Sequence, residues 1–212
     1  MNFSNLRLNL ANRLTLLRIL LIPPFMIFML VDNFYTRIFA LLTFIFASLT
    51  DLWDGLIARR YGLSSDFGKF IDPLADKMLI SAALISFIEL KELHIPAWMV
   101  VFIISREFII TGLRTLAASK GKVLAAERAG KFKTTSQIIV IITILIILII
   151  NSGVYNFFGI RVGELKRFSD WRGDVGWILS LTPYSLMFVT TVLTLISGIN
   201  YIRKHRDLLF PD

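Results

Sequence analysis

Ile138-Ile139-Val140-Ile141-Ile142-Thr143-Ile144-Leu145-Ile146-Ile147-Leu148-Ile149-Ile150 is an apolar run interrupted by a single threonine. A helix needs about 20 mostly apolar residues to cross the hydrocarbon core of a bilayer, and extending this run to 132–152 supplies them. Working outward, five more segments meet the same requirement: 13–31, 37–58, 73–91, 95–117 and 177–202. The third and fourth spans carry charge at one end and would score weakly on hydropathy alone. Composition agrees, because 56% of the 212 residues are hydrophobic, 18 are Phe and 18% are charged. A soluble domain of this length is less apolar and more charged. The expected fold is all-α: a polytopic membrane protein with six transmembrane helices in one domain, 1–212. Residues 1–11 mix Asn, Leu and Arg and are expected to form a short interfacial helix.

The absence of Cys removes disulfides, thiolate chemistry and cysteine-held zinc from consideration. A net charge of +8 fits either nucleic acid or an anionic surface. In so apolar a chain the membrane surface is the better reading, and no nucleic-acid partner is expected. The N-terminal segment is not a cleavable signal peptide, since Arg13 and Arg18 lie inside it and no small-residue cleavage site follows.

Lys and Arg set the orientation. One side of the six spans holds 16 of them and the other holds 6, with Arg106 inside a span. Both termini are therefore expected in the cytoplasm. The outer loop 153–176 departs from the rule, with Arg161, Lys166, Arg167 and Arg172 facing outwards. In this orientation Arg18, Asp51, Asp54, Asp72, Asp76, Arg106, Glu107, Arg114, Lys131 and Lys133 all fall towards the cytoplasmic half. Each charge at mid-bilayer costs about 2.5–3.5 kcal/mol on insertion scales, so such residues face a shared polar cavity. Five spans aiming charge at one depth describe a pocket open to the cytoplasm.

Within that set the aspartates are ordered. Asp51 and Asp54 are i,i+3, and Asp72 and Asp76 are i,i+4, so each pair shares a helix face. The spans carrying them are joined by a short connection and are expected to be antiparallel neighbours. Gly55 and Ala58 leave room for a ligand beside the backbone. Clustered carboxylates repel unless a positive charge sits among them. An all-oxygen set suits Mg²⁺ or Mn²⁺, and two such ions would clamp a diphosphate. A structural reading competes for single residues. Asp72 before Pro73 is a good helix N-cap, and Asp51 and Asp54 have Arg59 and Arg60 within reach for pairing. It does not account for all four at this spacing.

The pattern D-x-x-D-G-x-x-A-R-(x)8-G-(x)3-D-(x)3-D, carried by Asp51, Asp54, Gly55, Ala58, Arg59, Gly68, Asp72 and Asp76, resembles the signature of the CDP-alcohol phosphatidyltransferases at every fixed position. The resemblance implies transfer of a phosphatidyl group from CDP-diacylglycerol to an alcohol, with loss of CMP. It implies metal ligation by Asp51, Asp54 and Asp72, with Asp76 as a further ligand or the general base. It implies a CDP site at Asp51, Asp54, Gly55, Ala58, Arg59 and Gly68. It also implies a homodimer in the cytoplasmic membrane of a bacterial cell.

The acceptor is read from charge. Arg106, Arg114, Lys131 and Lys133 lie near the aspartates, and fixed cations there favour an acceptor that is itself a phosphate. The stretches around them, Asn12-Arg13-Leu14-Thr15-Leu16-Leu17-Arg18 and Ser197-Gly198-Ile199-Asn200-Tyr201 are similar to those of family members acting on glycerol 3-phosphate. The product would then be phosphatidylglycerophosphate. Glu107 and Arg114 are i,i+7 and have pairing with each other as the structural alternative. Lys131 and Lys133 differ by about 200° on a helix, so one enters the pocket and the other snorkels. Asn12, Thr15 and Arg18 are candidates for nucleotide or headgroup contact, with topology as the alternative role for Arg18. Pro183 is expected to kink or start the last span. The competing functions are a family member with another acceptor, as in cardiolipin or phosphatidylinositol phosphate synthesis, and a divalent-cation transporter.

Overall fold

A computed structural model describes the backbone of residues 10–61, 66–119 and 128–204, and the side chains of 14–50, 71, 74–119 and 135–204. Every regular element among the described residues is a helix, with no strand. In chain order they form α1 (Leu10–Leu30), α2 (Phe34–Tyr61), α3 (Asp66–Glu89), a 3-10 turn at Lys91–Leu93, α4 (Ala97–Ser119), α5 (Arg128–Phe158), α6 (Val162–Leu165) and α7 (Trp171–Lys204). Each long helix corresponds to one expected span, and several run past the expected ends. Residues 1–9, and with them most of the expected interfacial helix, lie outside the described residues.

Two of these helices, Thr135–Phe158 and Trp171–Lys204, are long and apolar enough to cross a membrane. Several of their hydroxyls are satisfied within the helix. Thr143 donates to the carbonyl of Ile139, Thr190 to Leu186 and Thr191 to Met187. Bonds of this kind let Ser and Thr sit in an apolar segment without an orphaned donor.

α1 packs along both α2 and α3, and α5 and α7 close the other side of the bundle. In the core Phe25 meets Phe44 with ring centres 5.7 Å apart, and Met29, Phe87, Met99, Ile103, Ile141 and Leu148 are fully buried around them. The buried stripe of α7 includes Gly173, Gly176, Pro183, Met187, Thr190, Thr194, Gly198 and Tyr201. It recurs every three or four residues and is built mostly from small side chains, which bring helices close. A Cβ on Gly176 would stand 2.8 Å from Cβ of Leu165, so α6 lies almost on the α7 backbone.

Two expectations are corrected. α3 begins at Asp66, so Asp72 and Pro73 sit inside a helix and Asp72 is not an N-cap. Pro183 lies in the interior of α7, which starts at Trp171, and so does not begin the last helix. In both cases the helix starts earlier than the apolar pattern does, because a helix needs no apolar residue in its first turns.

Candidate active site

Helix register orders the signature residues. Because α2 runs unbroken to Tyr61, Asp51, Asp54, Gly55, Ala58 and Arg59 occupy an arc of about 140° on one continuous helix. On α3, Gly68, Asp72 and Asp76 advance by about 40° per step and share a face. The early start of α3 produces this second alignment. The side chains of Asp51, Asp54, Gly55, Ala58, Arg59, Gly68, Asp72, Lys131 and Lys133, and that of Asn12, lie outside the described ones.

Asp76 is described, and it stands at the junction of two cavities. One, of about 20 Å³, is lined by Asp76, Lys77, Ser81, Glu107 and Gln137 among others. The other, of about 210 Å³, is lined by Asp76, Arg18, Ser48 and the apolar side chains Ile45, Leu49, Leu79, Ile80, Ile138 and Ile142. The carboxylate therefore has a small pocket of mixed polar and apolar lining on one side and a larger hydrocarbon-lined one on the other. Arg18, fully buried on α1, reaches the wall that Asp76 shares. Thr15, one turn earlier, is also buried.

Five residues link α3, α4 and α7 beside the smaller cavity. Lys77 Nζ donates to the carbonyl of Glu107 at 3.1 Å and to Oγ1 of Thr111, and it lies 3.9 Å from the Glu107 carboxylate. Glu107 also pairs with Arg106 at 3.3 Å. Arg106 in turn donates to Oγ of Ser197 at 2.9 Å. Ammonium, carboxylate and guanidinium thus alternate, and each charge is offset as it leaves water. Arg114 Nε donates to the Tyr201 hydroxyl at 3.3 Å, with its guanidinium carbon 5.5 Å from the ring centre. The structure gives Glu107 the partners Arg106 and Lys77, and Arg114 the partner Tyr201, in place of the i,i+7 pair open in the sequence.

The structure brings Arg18 and Asp76 together and sets Arg106 one residue behind the cavity wall, through Glu107. Arg114 lies further along α4, against α7. Lys77 and Gln137 carry no role in the sequence reading, and Ser197 and Tyr201 enter it only within a stretch similar to the family. Lys77 adjoins Asp76 but read only as a topology charge. Gln137, 2% exposed, sits immediately before the Ile138–Ile150 run, where a buried amide in an apolar span was the available signal.

Residues 8–171 match the family described as CDP-alcohol phosphatidyltransferase. The chain belongs to the CDP-alcohol phosphatidyltransferase family. It is 47% identical over 150 residues to the CDP-diacylglycerol--glycerol-3-phosphate 3-phosphatidyltransferase of Bacillus subtilis, covering 65% of this chain and 77% of that protein. The protein of the same name from Salmonella typhimurium is 32% identical over 211 residues, covering 96% of this chain and 99% of that one. A probable phosphatidylglycerophosphate synthase of Mycobacterium tuberculosis is 42% identical over 136 residues, covering 63% of this chain and 64% of its own length. As a family member, the chain carries its signature on the arcs of α2 and α3, and the last signature residue, Asp76, lines both cavities.

Proposed function

We propose that this chain transfers the phosphatidyl group of CDP-diacylglycerol to glycerol 3-phosphate, giving phosphatidylglycerophosphate and CMP. The observation that carries the reading is the position of Asp76, between a cavity that also holds Lys77, Ser81, Glu107 and Gln137 and a larger apolar one. A reaction joining a lipid to a water-soluble phosphoester needs both environments at one carboxylate. The names of the relatives from Bacillus subtilis and Salmonella typhimurium support the same acceptor.

Asp51, Asp54, Asp72 and Asp76 would hold Mg²⁺ or Mn²⁺, two ions in all. The oxygen-only donor set fits, as does the half-buried Asp76 carboxylate on the cavity wall. Bound there, the ions supply positive charge against the diphosphate. The chain's own residues do the rest. Asp76 takes the proton of the acceptor hydroxyl. The freed oxygen attacks the lipid-side phosphorus, the bond to the CMP oxygen breaks, and CMP leaves. Asp51, Asp54, Gly55, Ala58, Arg59 and Gly68 form the CDP site, whose small residues let the nucleotide lie against the backbone. Arg106, Arg114 and one of Lys131 and Lys133 bind the acceptor phosphate. Asn12, Thr15 and Arg18 contact the nucleotide or headgroup, and Arg18 has the apolar cavity beside it. Fixed charges set before the reaction supply most of the catalysis.

The proposal includes six spans in the cytoplasmic membrane of a bacterial cell, with both termini cytoplasmic, one domain, and assembly as a homodimer. The shortest of the six long helices, α1, has 21 residues, enough for a 30 Å core at 1.5 Å per residue. Exposed apolar side chains such as Leu20, Phe39, Leu42, Ile139, Ile146 and Val189 supply a lipid-facing exterior. Acceptor-dependent CMP release by purified protein with Mg²⁺ tests the function, comparing glycerol 3-phosphate with inositol phosphate, serine and phosphatidylglycerol. Release with glycerol 3-phosphate alone is expected. Preference for another acceptor moves the chain to a sibling activity, and metal flux in liposomes without CMP release returns it to the transporter reading.

A further inference from the structure

The basic outer loop finds a use at the end of the bundle opposite Asp76. A cavity of about 180 Å³ lies there, an order of magnitude more than one water molecule requires. One wall is cationic. Arg161 lines it with its guanidinium carbon 5.2 Å above the Tyr155 ring, and Lys166 lines it with Nζ 4.8 Å above the Trp177 ring. The ring faces hold both side chains and leave N–H donors for a further partner. The other wall is acidic. Asp32 and Glu92 flank the buried Arg37 at 3.9 and 3.3 Å, Glu92 also lies within the field of Arg161, and His94 lines the same wall. Oδ1 of Asn151, on the same cavity, is buried without a hydrogen-bond partner.

A ligand that complements both walls is dipolar. A phosphate without an ammonium meets Arg161 and Lys166 but leaves Oδ1 of Asn151 unmet and faces the acidic wall. A simple cation has the opposite fault. We propose that this cavity binds a zwitterionic phosphoester headgroup, its phosphate against Arg161 and Lys166 and its ammonium against Asp32, Glu92 and Asn151. Resting on the membrane orientation proposed above, its occupant is a phospholipid of the outer leaflet. The exposed Trp171 and Trp177 beside it mark headgroup depth. The site is separate from the transfer chemistry and gives the positive charge of the outer loop a binding role.

Native mass spectrometry of the full chain in detergent, titrated with dioleoyl-phosphatidylethanolamine or dioleoyl-phosphatidylglycerol, tests this. Wild type is expected to retain the ethanolamine lipid about tenfold more tightly, the worth of one lost charge-assisted hydrogen bond. R161Q and K166Q are each expected to weaken that retention by a similar factor while CMP release stays normal. Competition by soluble O-phosphoethanolamine assigns recognition to the headgroup alone. Resistance to it, with both variants still weakened, assigns recognition to the intact lipid, and either result upholds the site. Equal retention of the two lipids by wild type, or unchanged retention in both variants, overturns it. Because CMP release is read in the same samples, failure here is distinguishable from failure of the transferase assignment.

Discussion

Arg106 on α4 donates through Nη2 to Oγ of Ser197 on α7 at 2.9 Å, and Gly198 makes the approach possible. A Cβ on Gly198 would stand 2.8 Å from Cγ of Arg106. The pair of small residues forms a seat for the guanidinium, which is buried enough to need one. The fixed cation proposed to meet the acceptor phosphate is therefore positioned by a different helix from the one that carries it.

Disturbing that seat should act on the acceptor. S197A removes a hydrogen bond from a charged donor, and G198A pushes on the Arg106 side chain. Each is expected to raise the KM for glycerol 3-phosphate by about tenfold, with the KM for CDP-diacylglycerol unchanged. R106A should exceed both. Steady-state CMP release over a matrix of the two substrates measures this, and an unmoved acceptor KM in all three variants removes Arg106 from the acceptor site.

Asp76 should behave as a base. D76N is expected to lower kcat by about 10²–10⁴-fold and to abolish the acidic limb of the pH–rate profile. A near-normal kcat with the limb preserved would assign proton transfer to another group.

Loss of the metal should be equivalent to loss of its ligands. D51A and D72A are expected to abolish CMP release, as is chelation with EDTA, and excess Mg²⁺ or Mn²⁺ should restore only the chelated wild type. Substantial turnover by either variant would break the ligand assignment.

Lys77 should matter for stability as well as turnover. Its bonds to Glu107 and Thr111 connect α3 to α4. K77M removes a charged partner from the Glu107 carboxylate together with the bond to Thr111, and is expected to cost about 1–3 kcal/mol. K77R should recover part of the loss. Tryptophan fluorescence on unfolding in detergent reads the change, and identical unfolding of K77M and wild type would show that the connection contributes little.

Much of the helical architecture was legible along the chain, because long apolar helices announce themselves by local composition. The Ile138–Ile150 run located α5. Local pattern failed at helix starts. The first turns of α3 and α7 are not apolar, so the expected boundaries fell at residues 73 and 177 while the helices begin at Asp66 and Trp171. For α3 that difference has chemical weight, since it puts Gly68, Asp72 and Asp76 on one continuous helix and removes the capping explanation of Asp72.

The sequence by itself determined the all-helical class, the four aspartates and the family, since the class is written in the local composition of each segment and the signature in residue type and spacing over fewer than 30 positions, Asp51 to Asp76. Partnership among distant residues was decided only by the tertiary structure. Nothing local says that Glu107 pairs with Lys77 and Arg106 instead of Arg114, that Ser197 seats Arg106, or that Asp32, Asn151 and Arg161 share a cavity. Those facts depend on which helices α1 and α7 pack against and how closely small residues let them approach. Separation along the chain carries no record of that packing.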